Sequence, residues 1–288
     1  MTDVAGRSAH DEVTDSRSDG IVIRDCATLE EYLECVAIQE ETWGRGFSER
    51  VPAAILRVSQ RVGGITAGAF DMHGRMVGFV FGMTGIQGRD LVHWSDMLAV
   101  RPEARGRHIG ERLKQYQRGK VCALGVRTMM WTFDPLVSRN AHFNINRLGA
   151  MPVEYAVNLY GTTRSALHGT LPTDRFVVAW DCTAAAPTRA AADGQPIADA
   201  PLLNPVSNGT PSLADVGNAR HLRVQIPLDI QPVLQQQPAL ARRWRDITRR
   251  ALGERLEAGY RVSGFVRPAE RGDGADNLPY YVLTRSAR

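Results

Sequence analysis

Apolar positions in the first two-thirds of the chain follow two periods in turn. Residues 21–24 read as a short strand, and 29–42 as a helix whose apolar positions, Leu29, Leu33, Val36 and Ala37, recur every three or four residues. Pro52 suits the first turn of a second helix, which carries Ile55, Leu56 and Val58 and stops at Gly63-Gly64. Strands over 65–70 and 76–86 flank Asp71-Met-His-Gly-Arg75, a hairpin with Gly74 at its turn, and 91–100 makes a fourth strand. A helical pattern then starts at Ile109 and continues through Leu113, Tyr116, Gln117, Cys122 and Leu124. Residues 128–133 form a buried-type strand that Asp134-Pro135 stops, and a short helix over 138–149 precedes further strands that end at Asp181.

Beyond Asp181 the period is lost among alanines, prolines and glycines until about Asn218, so this stretch reads as a linker or an irregular excursion. Then 222–226 reads as a strand, 238–258 as a helix capped by Gly259, and 260–266 and 280–283 as two strands. The expected division is a disordered tail over 1–20, a first domain over 21–182, the linker or excursion over 183–219, and a small β-α-β-β unit over 220–288. Four such elements bury little alone, so the unit should dock on the first domain or on a second copy of the chain, which admits a homodimer.

Composition adds bounds. The 288 residues, 43% hydrophobic and 23% charged, suffice for one large or two modest cores. No apolar run approaches the ~18 residues of a membrane span, and the first twenty residues are polar with acidic members, so a cytoplasmic protein is expected. Cys26, Cys35, Cys122 and Cys182 show no C-x-x-C spacing, and neither disulfides nor a metal is expected.

The net charge of +4 is unevenly placed, with Arg101, Arg105, Arg107, Arg112, Lys114, Arg118 and Lys120 around the turn that opens the helix at Ile109. Gly106 and Gly110 would serve a tight turn in any case, but flanking arginines beside a helix N-terminus, with its open N–H groups and positive dipole end, point to an anion. A second basic run, Arg242, Arg243, Arg245, Arg249 and Arg250, would in principle track a nucleic-acid backbone. No aromatic residues interleave it, and Trp244, Ile247 and Ala251 form an apolar stripe. A solvated helix face is therefore the reading, and a nucleic-acid partner is not expected.

Val100-Arg-Pro-Glu-Ala-Arg-Gly-Arg-His-Ile-Gly110 resembles the acyl-CoA-binding motif of the GNAT superfamily of N-acyltransferases, Arg/Gln-x-x-Gly-x-Gly/Ala. Arg105 and Gly110 match, and His108 stands at the inner glycine, a position where histidine tolerates left-handed geometry better than most side chains. Ser138-Arg-Asn-Ala-His-Phe-Asn-Ile-Asn-Arg-Leu-Gly149 resembles the second motif, a short helix beside the pantetheine arm. Most relatives carry there a tyrosine that protonates the leaving thiolate; Ile145 takes its place. Trp131-Thr-Phe-Asp-Pro-Leu136, Arg139-Asn-Ala141, Asn144, Leu148-Gly-Ala150, Tyr160-Gly161 and Leu171-Pro-Thr-Asp-Arg175 resemble a bacterial predicted-acetyltransferase branch that includes amino-acid N-succinyltransferases. The C-terminal β-α-β-β order itself resembles the opening half of the GNAT fold, as a degenerate second copy would.

The resemblance implies an α/β (α+β) fold with a mixed, mostly antiparallel central sheet flanked by helices. It also implies acetyl-CoA or another acyl-CoA as co-substrate. Leu98, Ala99 and Val100 would bind the pantetheine, Arg105, Gly106, Arg107, His108, Ile109 and Gly110 the phosphates, and Asn140 and Phe143 the cofactor from the second-motif helix. Such a reaction needs a proton acceptor for the amine and a donor to the carbonyl oxygen. The Leu98 amide is the expected donor. Asp96 and Asp134 are the candidate bases, with an ion pair for the first and an Asp-Pro turn for the second as alternative roles; His93 and His142 read as packed side chains. Arg139 would hold a substrate carboxylate; with the usual acid missing, the thiolate would leave without a protein acid, and Tyr160 is the alternative that would take over the role. These readings describe an acyl-CoA-dependent N-acyltransferase, with an acetyl or succinyl donor, acting on a primary amine of a small molecule such as an amino acid. The alternatives are a non-catalytic acyl-CoA-binding sensor, for which His108 and Ile145 speak, and a nucleic-acid-associated regulator.

Overall fold

The computed structural model describes residues 15–16, 19–161, 171–184, 199–267 and 278–285. In chain order they form β1 (Asp15–Ser16), β2 (Val22–Asp25), α1 (Leu29–Trp43), α2 (Ala53–Arg61), β3 (Ile65–Phe70), β4 (Met76–Gln87), β5 (Asp90–Val100), α3 (Ile109–Ala123) and β6 (Thr128–Phe133). Next come α4 (Ser138–Ala141), which runs into a π-helical stretch (His142–Leu148), β7 (Met151–Ala156), β8 (Arg175–Asp181), β9 (Val206–Ser207), β10 (Thr210–Pro211) and β11 (His221–Gln225). The chain closes with α5 (Ile230–Gln236), α6 (Pro238–Glu257), β12 (Tyr260–Val266) and β13 (Tyr280–Arg285). Eight strands make one sheet in the order β1-β2-β3-β4-β5-β6-β8-β7, antiparallel except where β5 lies beside β6. This is the expected mixed, mostly antiparallel sheet with helices on its faces.

Thr28 and Glu31 close a reciprocal capping box that starts α1 where the sequence places it. The stripe it buries is a different one: Tyr32, Cys35, Ile38 and Gln39 face inward, whereas Leu29 and Leu33 are each 52% exposed. Polar anchors set this rotation. The Tyr32 hydroxyl donates to the Cys26 carbonyl at 3.0 Å, and the Gln39 amide exchanges hydrogen bonds with the Val51 backbone at 3.1 and 2.8 Å. On α2, likewise, Leu56 is buried while Ile55 and Val58 are exposed. The face covered by α1 and α2 packs Tyr32, Ile38, Leu56, Phe79, Phe81 and Met97 together.

The core on the other face gathers Ile109, Leu113, Trp131 and Phe176 and continues without a break into Leu222, Trp244, Phe265 and Tyr281. The C-terminal elements therefore sit on the main sheet's own core. The Tyr281 hydroxyl donates to the Pro135 carbonyl at 2.8 Å, the Asn146 amide donates to the Phe265 carbonyl at 2.9 Å, and the Phe176 and Tyr281 rings meet edge to face at 5.2 Å. Their small antiparallel sheet has the order β11-β13-β12. In β2-β3-β4, the opening of the main sheet, neighbours follow chain order. The C-terminal unit thus does not repeat that opening, and the expectation of a second copy fails on strand order.

Two further expectations change. Within the expected tail, Asp15 and Ser16 pair with β2 and Asp19 accepts from Arg112 at 3.0 Å; residues 1–14 and 17–18 lie outside the described residues. Within 183–219, the described residues 199–219 include the β9–β10 hairpin and Asn204, whose buried amide bonds the Gln225 backbone at 2.7 and 2.8 Å. Cys26, Cys35 and Cys182 are buried free thiols, and Cys122, expected on the buried stripe of α3, is exposed.

Candidate functional site

The site begins where two strands part. β5 pairs with β6 only at Val92–Thr128, His93–Met129 and Trp94–Met130, after which the strands diverge. On its other edge β5 carries one residue too many: Phe81 faces Met97 and Gly82 faces Ser95, which leaves Asp96 as a bulge. Ser95 turns to α3 and Met97 to the α1–α2 core, although on a regular strand the two would share a face. The bulge absorbs that switch and sets Asp96 at the fork. Between the parted strands lies a cavity of about 330 Å³ whose lining includes Asp96, Leu98, Lys114, Trp131, Asn140 and Phe143.

At the end of β5 the chain passes through a short 3₁₀ turn (Pro102–Ala104) into the basic segment that starts α3. Gly106 has φ 81° and His108, the residue before the first turn of α3, has φ 58°, so histidine adopts the left-handed geometry at the position of the inner glycine. A side chain at Gly110 would meet only Leu98 and Val100, at 3.7 and 3.9 Å, which are ordinary contacts. Packing does not demand this glycine, and its openness leaves room beside the α3 N-terminus.

Most of the basic residues counted near this turn serve elsewhere. Arg101 is buried against the α1 side, bonded to Glu34 at 2.7 Å, Glu41 at 2.9 Å and the Met76 carbonyl at 2.8 Å. Arg112 is buried on Asp19 and the Ile21 carbonyl, Arg118 lies over the Trp180 ring and Lys120 pairs with Asp25. Arg105 and Arg107 remain exposed at the turn, the first donating to the Val100 carbonyl and the second to that of Asp19.

The titratable groups of the cavity divide sharply. Asp96 is open to the cavity yet walled by protein, and the loss of hydration raises its pKa above the ordinary aspartate value, opposed by Trp94 and Lys114. Lys114 is buried, and burial brings its pKa down to about 7, with Asp96 opposing. Asp134 goes the other way. Burial would raise it, but the Arg245 guanidinium at 2.6 Å, with Arg175 at 3.6 Å, holds its carboxyl below the usual range; its other oxygen accepts from the Leu136 amide. That ion pair removes the basicity expected of it near neutrality. Tyr160 lines the cavity, bonds Thr132 at 3.0 Å between hydroxyls, and has its pKa raised by burial. His93 is buried beside Thr84, and burial lowers its pKa to about 3. Ile145 is packed in the core, and Arg139 lines the cavity from α4.

Sequence reading had missed Trp43 at the end of α1 and Phe47 and Glu49 in the α1–α2 connection, which wall the cavity, and Asp229 and Gln231 from the C-terminal unit. The Trp43 and Phe47 rings stack at 5.5 Å. It also missed the inward turn of Lys114, although Lys114 follows Leu113 on the buried side of α3. Among the described residues no cluster of metal-ligating side chains forms, and no helix is long and apolar enough to cross a membrane.

No protein-family model matches the sequence, and no curated protein matches it. Solved structures do resemble part of it. The NatC complex bound to Gag peptide and CoA contains a chain with 17% identity and a TM-score of 0.45, over 56% of this chain and 98% of that one. Aminoglycoside 6'-acetyltransferase type Ii gives 17% identity and 0.45, over 57% and 98%. The ribosomal-protein-S18-alanine N-acetyltransferase from Escherichia coli gives 14% and 0.44, over 57% and 96%.

Proposed function

We propose that this protein is an acyl-CoA-dependent N-acyltransferase acting on a primary amine. The observation that carries the reading is the parting of β5 from β6 beyond Trp94–Met130, which opens an unpaired strand edge into a cavity, with a basic turn and a helix N-terminus at the far end of the same strand. A thioester arm with a phosphate tail fits that layout. Arg105 to Gly110 would hold the phosphates, Leu98, Ala99 and Val100 the pantetheine as an added strand, and Asn140 and Phe143 its other side.

In the reaction the amine nitrogen forms a bond to the thioester carbonyl carbon and the carbon–sulfur bond breaks. The ammonium gives up two protons on the way to the amide, one of which ends on the thiolate and one in solvent. The Leu98 amide would polarise the carbonyl oxygen. Asp96, at the fork and partly dehydrated, is the base of choice, directly or through water; Asp134 is committed to Arg245. Tyr160 stays protonated and is the candidate donor to sulfur in place of Ile145. The acceptor is proposed as a small molecule such as an amino acid, its carboxylate met by Arg139, with acetyl or succinyl as the acyl group.

Thiol release from acetyl-CoA and succinyl-CoA against a panel of amines tests this. General-base catalysis contributes typically about 10²–10⁴-fold, so Asp96→Asn should lower turnover by that factor at saturating donor. Turnover that Asp96→Asn leaves intact rejects the base. CoA binding with no turnover on any amine would support the sensor reading instead.

A further inference from the structure

Lys114 has no role in the reaction as written, yet it occupies a costly position. It is 2% exposed on α3, with its ammonium 2.6 Å from the Ser95 hydroxyl and 3.9 Å from the centre of the Trp131 ring, and it lines the cavity. The Ser95 hydroxyl donates a hydrogen bond to the Gln117 amide oxygen at 2.6 Å, so its oxygen is free to accept from Lys114. Among the described residues Lys114 makes no direct ion pair with a carboxylate; the opposite charge that acts on it is Asp96, which lines the same cavity and follows its partner Ser95 in the chain. An apolar residue would fill this place without the desolvation cost of an ammonium.

We propose that Lys114 is a positioning residue for the acid–base step: a dry ammonium facing the fork, it keeps the bulge residue Asp96 in the carboxylate form that accepts the amine's proton. The inference rests on the base assignment made above. Its electrostatics follow from the groups around the pair. From β5, His93 faces Lys114 and stays uncharged, since burial lowers its pKa to about 3. From β6, Trp131 presents only its ring. Beyond β7, Tyr160 feels Asp96 together with Glu49 of the α1–α2 connection and Arg175 of β8. Asp134 is engaged by Arg245. Arg139 and Arg175 also line the cavity; among the described residues Lys114 is the cation whose pull opposes the dehydration that pushes the Asp96 carboxyl towards the neutral acid.

The test is Lys114→Met, which removes the charge and keeps a stem of similar length, followed in the 288-residue chain by two readouts. One is the acid limb of the kcat/KM profile. The other is the carboxyl-carbon NMR titration of Asp96, assigned by its loss in Asp96→Asn. Both should move to higher pH by about one unit, the low end of the effect of a nearby opposite charge. The double variant Lys114→Met/Asp96→Asn should show the profile of Asp96→Asn alone. A uniform fall in turnover with both midpoints unmoved would overturn the proposal and leave Lys114 a packing residue. If no amine is acylated by the parent protein, the catalytic reading falls by itself; the NMR arm still decides whether Lys114 sets the Asp96 charge. Lys114→Gln, which retains a donor to Ser95, replaces the methionine variant if that one does not fold.

Discussion

Two basic helices, α3 and α6, look alike in the sequence and do different work. The segment that opens α3 leaves Arg105 and Arg107 at the surface beside unpaired helix N–H groups. On α6 two arginines turn inward as staples: Arg245, 1% exposed, is bound to Asp134, and Arg249 grips the buried Asp174 through two bonds at 2.7 and 2.8 Å. Arg243 donates to the Pro211 carbonyl, and Arg250 meets Glu254 at the surface. The solvated face expected of α6 is therefore wrong for Arg245 and Arg249. Whether a cation recruits an anion from solution or fastens two parts of the protein is decided by what stands opposite it.

The largest effect should come from breaking a staple. Asp134→Asn leaves Arg245 buried without its counter-charge, a change that costs about 3–5 kcal/mol, and the denaturant midpoint should drop accordingly. The sign with pH follows from the lowered carboxyl: its stabilisation is complete above the ordinary aspartate range of about 4 and is lost as pH falls through the lower folded-state value. Acid unfolding of the variant should lack that component. A smaller and opposite pattern is expected at α3. Arg105→Ala with Gly110→Asp should weaken CoA binding at least tenfold, since a charge-assisted phosphate contact is worth about 1.5–3 kcal/mol, and leave the unfolding midpoint near that of the parent. Unchanged CoA affinity by calorimetry would break the comparison at its functional end. The smallest effect is Arg250→Ala on the solvent side of α6, which should leave both midpoint and CoA affinity within experimental error.

Much of the fold was legible because its signals are local. The short apolar runs of β3, β4 and β6, the turn at Gly74 and the start of α3 at Ile109 need only neighbours in sequence. So does the left-handed His108, between a glycine turn and a helix. The site's charges were less legible, because partners distant in sequence set their state. Nothing within ten residues of Asp134 marks it as the counter-ion of Arg245, and the turn reading of Asp-Pro told only half its role. One faint clue existed: Arg245 falls in line with Ala241, Thr248 and Leu252, at the spacing of one buried helix face. The inward turn of Lys114 has the same origin. The bulge at Asp96 was invisible, since it is a property of the register between two strands.

The order β11-β13-β12 has a consequence for synthesis of the chain. β13 is the last of the three to leave the ribosome, and it is the central strand to which both others pair. Until it arrives, β11 and β12 have unpaired edges, Phe176 lacks the Tyr281 ring and the Pro135 carbonyl lacks its donor. Pro135 follows Asp134 at the wall of the cavity. A nascent chain can assemble the eight-stranded sheet before it, but the cavity wall stays unfinished, with open edges exposed to aggregation, until β13 is made.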